Sequence, residues 1–354
     1  MGEDRRQRVM DALDLKIPDQ VPFMYNVIHH SIREKLLGQK LTYEYPGPPD
    51  EMGPVVRLGE QSQLYPAETI DARVADLLGL DAIGMRFFPP LWVEAGEAEN
   101  GVMIKDGLLK SAEDLEKVLL PDVDDERIYK PAEEFCRKYK GQYALNAQIR
   151  LGISFILNCM GLENFSYALA DDPDFVKAAV EKYTDWVGRL ITNLQECGFD
   201  FFWTFDDMAY KTSVMFSPAV WDEFFAPYLK KAASRFKIPW VFHSDGNLLP
   251  LMDKLLELGM NGIHPLEPGA MDVELLKHKY GDKVCLIGNI DINHTLTDAS
   301  EEEVYRAVEE RIRQLGPGGG YIISDSNSVP CYCNPRNILW MAEAVQKYRK
   351  IYGA

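Results

Sequence analysis

The sequence places a histidine and a carboxylate where a short apolar run stops. The segment Ile238–Asn247 reads IPWVFHSDGN, so the run ends at His243 and Asp245. Residues two apart on a strand lie on the same side of the pleat, and this pair can therefore face one pocket. The alternative is a strand end followed by a helix-capping Asp245. Other apolar runs end in the same polar way, which favours a divalent metal or proton-transfer chemistry.

The run before it ends in two adjacent carboxylates, Asp206 and Asp207. Such a pair at the end of a buried strand is costly unless it is paired or bound to a metal, although a capping role is the alternative. Trp203 and Tyr210 flank the acidic pair, and they would suit an apolar or aromatic substrate if they are not simply core residues. Polar residues follow the other runs as well: Asn26, His29, His30, Arg86, Arg150, His264, Glu267, Asn289, Asp291, Ser324 and Asp325.

Eight short apolar runs alternate with helical segments, which predicts a single (β/α)8 TIM barrel of the α/β class. A doubly wound sheet is disfavoured because no Gly-x-Gly-x-x-Gly follows a strand. Active sites of such barrels lie at the carboxyl ends of the strands. The predicted strands are Val21–Val27, Asp81–Phe87, Ala144–Arg150, Phe199–Phe205, Pro239–His243, Gly262–Pro265, Val284–Gly288 and Tyr321–Ser324.

Four further segments complete the prediction. Arg5–Leu15 has helical periodicity and forms an N-terminal helical extension, while Asn100-Gly101 between two alternating runs indicates an inserted β-hairpin. Ser111–Tyr139 is expected to be helical, and Leu41–Leu64 is expected to be an irregular segment without regular secondary structure. We find no internal repeat or linker, so residues 1–354 are expected to form one domain.

Composition limits the partners. The 354 residues carry a net charge of −17 and include no run of Lys or Arg, so nucleic acid and anionic membranes are not expected partners. No apolar run approaches the roughly 18 residues of a membrane span, and the N-terminus lacks the apolar core of a signal peptide. Six scattered cysteines favour reduced thiols. We expect a cytoplasmic protein, with a homodimer left open.

Several motifs resemble the uroporphyrinogen decarboxylase superfamily over essentially the whole chain. They are RRQRVMDALDLKIPDQVPF, DFFWTFDDMAYKTSVMFSPAVWDEFFAPYLKK, VFHSDGN, LIGNID and ISDSNSVP. The resemblance implies one barrel, and the superfamily contains porphyrinogen decarboxylases and corrinoid-dependent methyltransferases. The decarboxylases carry an Arg-Gln-Ala-Gly-Arg loop after the first strand, whereas Asn26–His30 reads NVIHH here. An acidic barrel mouth would also repel a polycarboxylate.

Within the methyltransferases, the methanol and methylamine types bind zinc through His-x-Cys and a later Cys. This chain has His243, but Asp245 replaces the first thiol, and Cys331 and Cys333 come late. Oxygen and nitrogen ligands suit an ether oxygen better than a thiol. The FDDMAYK and HSDG motifs are most similar to the branch that demethylates methoxylated aromatics in anaerobes, in which zinc sites of one histidine and two acidic residues occur.

The resemblance therefore implies transfer of a methyl group from an aryl methyl ether to the cobalt(I) of a separate corrinoid protein, with zinc assisting ether cleavage. A decarboxylase, a methyltransferase for a thiol or another small methyl donor, and a non-catalytic ligand-binding barrel are the alternatives. The expected metal ligands are His243, Asp207, Asp245 and Glu267. The expected catalytic residues are Asp207, His243 and Asp206. The expected substrate-binding residues are Asn26, His29, Arg86, Trp203, Tyr210, His264, Asn289 and Asp325.

Overall fold

The computed structural model describes residues 4–41, 55–56, 61–98 and 101–351. Most of the predicted irregular segment Leu41–Leu64 lies outside the described residues, as does Asn100 of the predicted hairpin turn. The strands are β1 (Val55–Val56), β2 (Ala67–Glu68), β3 (Ala82–Arg86), β4 (Leu91–Ala98), β5 (Gly101–Gly107), β6 (Ala144–Ile149), β7 (Phe201–Phe205), β8 (Trp240–His243), β9 (Gly262–His264), β10 (Cys285–Ile287) and β11 (Tyr321–Ile322).

The main sheet curls into a barrel, in the order β11-β10-β9-β8-β7-β6-β3-β2, and all its pairings are parallel except that of β2 with β3. The segment around Phe23 closes the ring, because Phe23 bridges Ile323 and its carbonyl accepts the Asp81 N–H. The predicted barrel is thus confirmed. Within the predicted first strand Val21–Val27, a single isolated bridge at Phe23 replaces a continuous ladder, next to Pro22, which has no N–H to donate.

Helices follow most strands and cover the outside of the barrel. They are α1 (Arg5–Leu13), α2 (His30–Leu37), α3 (Ala72–Leu78), α4 (Glu126–Tyr139), α5 (Ile153–Met160), α6 (Leu162–Asp171), α7 (Pro173–Gln195), α8 (Pro218–Val220), α9 (Ala226–Ala233), α10 (Met252–Leu256), α11 (Val273–Tyr280), α12 (Glu301–Leu315) and α13 (Pro335–Tyr348). A π-helical turn, Trp221–Phe225, separates α8 from α9. No helix in the described ranges is long and apolar enough to cross a bilayer.

The helix predicted over Ser111–Tyr139 is wrong in its first half. A 3₁₀ turn at Ala112–Asp114 is followed by irregular chain, and α4 begins only at Glu126, where the Asp125 side chain caps the helix. Pro121 lies in the irregular stretch and has no amide hydrogen with which to continue a helix.

The N-terminal extension closes the bottom of the barrel. Val9, Ala12 and Leu13 of α1 pack against inward-facing barrel residues. These residues are Met24, Ala82, Ala144, Phe201, Trp203, Val241, Cys285, Ile287 and Ile322. The barrel interior is therefore a packed core at this end, and the opposite, carboxyl end is where sites of such barrels lie.

The inserted hairpin is confirmed. β4 and β5 pair antiparallel, with Ala98 opposite Gly101, and β1 adds to the β4 edge. The hairpin packs on α5, where the Leu109 N–H donates to the Cys159 carbonyl at 2.8 Å. It therefore forms a wall beside the carboxyl end of the barrel.

Candidate metal centre

Three side chains converge where β7 and β8 end. One ligand atom each from Asp207, His243 and Asp245 lie within 4.8 Å of one another. His243 Nε2 is 3.6 Å from an Asp207 carboxylate oxygen and 3.8 Å from an Asp245 carboxylate oxygen. Both distances are too long for a hydrogen bond, so the three atoms surround a common point rather than bonding one another.

The group can be reached from outside the barrel. The Asp207 side chain is 52% exposed, whereas His243 is buried. Asp207 lines a cleft of about 760 Å³. The other walls come from the hairpin, α5, α6 and the loop after β7, and include Ile104, Gly107, Ser154, Leu157, Asn158, Asn164, Tyr167 and Met215.

Hydrogen bonds hold both aspartates in place, through the backbone as well as through the carboxylates. The Asp245 N–H donates to Asp207 Oδ1 at 2.9 Å, and the Asp207 N–H donates to Ser154 Oγ at 2.7 Å. Asn327 donates its side-chain amide to the other Asp245 oxygen. Sequence reasoning did not single out Ser154 or Asn327. Asn327 lies in the polar segment after the last strand, which is a usable signal, but Ser154 follows no strand directly.

A second histidine contacts His243. The β8–β9 register places His243 opposite His264, and their Nδ1 atoms are 2.6 Å apart. Burial lowers the pKa of His243, and it lowers the pKa of His264 well below its ordinary value. Both rings are thus neutral near pH 7, the state that a metal-ligating imidazole requires. His264 was predicted to bind substrate, but its side chain is completely buried.

Asp206 turns away from the group. Its carboxylate accepts the N–H groups of Leu151, Gly152 and Ser154 at 2.7 to 3.0 Å. Burial raises the pKa of Asp206 to about 6, although these N–H donors oppose the shift. Its contacts are those of a cap for the start of α5, and its catalytic role stays a prediction.

Glu267 is not a member of the group of Asp207, His243 and Asp245, and its role as a metal ligand stays a prediction. One of its oxygens accepts the Gly246 N–H at 2.8 Å, and the other is 3.3 Å from the Lys211 ammonium. Both oxygens are thus already used to hold the loop after β8 and the loop after β7. Lys211 was not predicted, because a lysine in a loop gives no signal of its own.

The aromatic wall differs from the prediction. Trp203 is fully buried in the barrel core, so it does not line the mouth, and Tyr210 is half exposed on the loop after β7. Phe205, two residues after Trp203 on the same side of β7, lies one layer nearer the mouth. Its ring centroid is 4.8 Å from that of His243 and 5.6 Å from that of Phe88.

The remaining predicted substrate residues end strands of the same barrel, and their roles stay predictions. Arg86 is buried with its guanidinium 4.7 Å from the Phe88 ring centroid. The Asn289 amide donates to the Leu266 carbonyl, and Asp325 accepts the Ser324 hydroxyl at 2.9 Å.

Two residues of the first loop have local contacts. The Asn26 carbonyl accepts the Gln148 amide at 2.6 Å, and His29 Nδ1 accepts the Ser31 N–H at the start of α2. Burial lowers the pKa of His29 to about 4. His29 therefore acts as a neutral cap for α2 in this structure.

Comparisons with known proteins place the chain in a family. The model of the family described as uroporphyrinogen decarboxylase (URO-D) matches residues 91–348. A methyltransferase from Methanosarcina mazei has a similar structure, with 16% identity, a TM-score of 0.71, and coverage of 98% of this chain and 99% of that chain. A B12-independent methionine synthase from Shewanella sp. W3-18-1 shares 13% identity over 85% of this chain and 98% of that chain, with a TM-score of 0.47. No curated protein matches the sequence.

Proposed function

Because the chain belongs to the uroporphyrinogen decarboxylase family and shares the fold of the Methanosarcina mazei methyltransferase, we propose that it is a methyltransferase. It transfers a methyl group from an aryl methyl ether to the cobalt(I) of a separate corrinoid protein. The observation that carries this proposal is the group of Asp207, His243 and Asp245 at the carboxyl end of the barrel, open to a cleft.

The group fits zinc. It offers one imidazole nitrogen and two carboxylate oxygens around a common point, and a catalytic zinc site has three protein ligands with one position left open. His243 Nδ1 is already engaged by His264, which leaves Nε2 for the metal. When bound, zinc would supply a Lewis acid that polarises the ether oxygen and stabilises the departing phenolate.

The ligand chemistry favours an ether over a thiol. Asp245 stands where a thiolate ligand would be needed to activate a thiol. Cys333 is buried with its Sγ 3.8 Å from the Ile292 carbonyl, outside the group. An oxygen-rich site is harder in the Lewis sense and matches an oxygen substrate.

The surrounding residues bind and orient the substrate. Phe205 and Phe88 form an aromatic contact beside His243 and can pack against an aryl ring. Asp207 lines the cleft, so the ether oxygen would reach the group from that side. The corrinoid protein then approaches from the outside of the cleft to accept the methyl group.

The test combines the zinc-loaded protein, a reduced corrinoid protein and a panel of methoxylated aromatics, and follows methylcobalamin by its absorbance. We expect methyl transfer by the wild type and a loss of about 100-fold or more in Asp207→Asn, since each 1.36 kcal/mol of barrier is a factor of about ten. The matched control is Asp222→Asn, because Asp222 lies after the same loop but pairs with Lys254 at 2.7 Å outside the group.

Metal analysis gives an independent readout. We expect about one zinc per chain, and chelation should abolish methyl transfer until zinc is restored. Turnover of methanol or methylamine without any methoxylated aromatic would refute the substrate class. Release of carbon dioxide from uroporphyrinogen would refute the methyltransferase assignment.

A further inference from the structure

We propose that His264 is a positioning residue that fixes the orientation and the tautomer of His243. The proposal rests on the metal site described under the proposed function. The two Nδ1 atoms are 2.6 Å apart, and the rings face each other edge to edge, with centroids 4.9 Å apart and an interplanar angle of 29°. This contact is of hydrogen-bond length, so it holds one proton between the two rings.

The position of that proton decides whether His243 can bind a metal. A neutral imidazole carries one N–H and one lone pair. If His243 holds its proton on Nδ1 and donates it to His264, its Nε2 lone pair faces Asp207 and Asp245. If His264 donates instead, the His243 proton lies on Nε2 and occupies the side where the two carboxylates converge. The metal-binding form therefore requires His264 to accept at Nδ1 and to carry its own proton on Nε2.

His264 is held firmly enough to act in this way. Its side chain is completely buried, and it lies in β9 directly opposite His243 in β8. The Trp203 ring meets the His264 ring edge-on, with centroids 4.9 Å apart at 87°. Trp203 does not line the mouth of the barrel. Its ring packs against His264, which in turn contacts His243.

The use of a neutral acceptor has a consequence for the charge of the centre. A metal-ligating histidine commonly donates its second N–H to a carboxylate, a carbonyl or a water. With Asp207 and Asp245 ionised, a divalent cation in this group is already electrically balanced. A third carboxylate at position 264 would leave the centre negative and weaken its pull on an ether oxygen, whereas an imidazole orients His243 without adding charge.

Zinc affinity tests the proposal without relying on activity. His264→Leu removes the acceptor, and His264→Asn restores an amide oxygen close to the place of the imidazole Nδ1. In competition with a chromophoric chelator, we expect His264→Leu to bind zinc about 10 to 100 times more weakly, as for other contacts that orient a ligand. His264→Asn should recover most of the affinity. The exposed His278 gives the control His278→Leu, which should bind zinc like the wild type.

The tautomers give a second readout in the wild-type protein, which does not depend on any variant folding. In ¹⁵N NMR of the zinc-loaded protein, we expect His264 to be protonated at Nε2 and unprotonated at Nδ1. A His264 proton on Nδ1, or a folded His264→Leu with wild-type zinc affinity, would overturn the positioning role and leave the metal site standing. A wild type that binds no zinc would instead overturn the metal site itself, and this proposal with it.

Discussion

The Asp207 carboxylate is oriented although half of its surface faces solvent. Its backbone N–H donates to Ser154 Oγ, and its Oδ1 accepts the Asp245 N–H. One contact comes from the start of α5 and the other from the loop after β8. Asp207 is thus held through its backbone by one element and through its carboxylate by another, so it loses little further freedom when it binds a metal, which is the condition for a preorganised site.

Ser154→Ala tests this support at the scale of one residue. The variant leaves the Asp207 N–H without its acceptor, which costs about 1–3 kcal/mol when the group is buried. We expect a lower unfolding temperature and weaker zinc binding, measured by calorimetry and chelator competition. Ser166→Ala is the control, since the Ser166 hydroxyl only donates to the Leu162 carbonyl on an exposed helix face. Equal zinc affinity in the two variants would contradict the role of Ser154.

The sequence predicts some of these residues better than others. His243 ends β8 and Asp245 lies two residues later in the following loop, and the short spacing was enough to predict that they face one pocket. Asp206 and Asp207 are adjacent and equally polar, and only the direction of the chain after β7 decides which one faces His243. The positions of Glu267 outside the group and of Trp203 in the barrel core were not predictable for the same reason, because the direction of a loop and the depth of a side chain in the barrel depend on contacts distant in sequence.

At the scale of elements, the loops after β7 and β8 are packed against each other. The Asn247 N–H donates to the Tyr210 carbonyl at 2.8 Å, and Glu267 links Gly246 to Lys211. Gly246 has a φ of +87°, and a Cβ there would lie 2.6 Å from the Ala209 carbonyl group. The backbone approach that holds Asp207 near Asp245 therefore requires glycine at position 246.

Gly246→Ala should push the two loops apart. We expect weaker zinc binding and a loss of stability beyond the roughly 1–2 kcal/mol that a left-handed conformation costs an alanine. Gly259→Ala is a matched control, because Gly259 has a φ of +82° but no atom within 4 Å of a built Cβ. Chemical denaturation and chelator competition measure both effects. If the two variants lose the same stability and keep the same zinc affinity, the close approach has no structural role.

Element boundaries were predictable where the local sequence carries the signal. The helices Val273–Tyr280 and Glu301–Leu315 match their predictions because Asp272 and Ser300 cap them. The helix expected over Ser111–Tyr139 shows the opposite case. Its acidic composition resembles a helix, but the chain around Pro121 is irregular, and the Pro121 carbonyl accepts the Trp186 indole N–H from α7.

At the scale of the whole molecule, a buried ionic network joins the two ends of the chain to the start of β3. Asp81 accepts hydrogen bonds from Arg8 of α1, from Arg349 after α13, and from the Phe23 N–H. Arg349 also donates to the Val21 carbonyl. These contacts lie where the segment around Phe23 completes the barrel. They therefore stabilise its closure by linking this segment, α1 and the chain after α13 through one carboxylate.

Asp81→Asn tests that closure. Asparagine keeps the shape of the side chain and can still accept the Phe23 N–H, so the variant removes mainly the negative charge between Arg8 and Arg349. Breaking a buried ion pair by removing one partner costs about 3–5 kcal/mol. Here Arg349 loses its buried counterion, whereas Arg8 keeps its ion pair with Asp19. We expect a clear fall in the denaturation midpoint, with α1 losing hydrogen-exchange protection before the outer helices.

Asp253→Asn is the control, because Asp253 is 72% exposed and lies 3.7 Å from Lys279, where an ion pair contributes little. Since the metal group lies at the opposite end of the barrel, zinc affinity in the folded variant should stay at the wild-type value. A midpoint equal to that of Asp253→Asn would show that the chain ends are held by apolar packing of α1 rather than by this network.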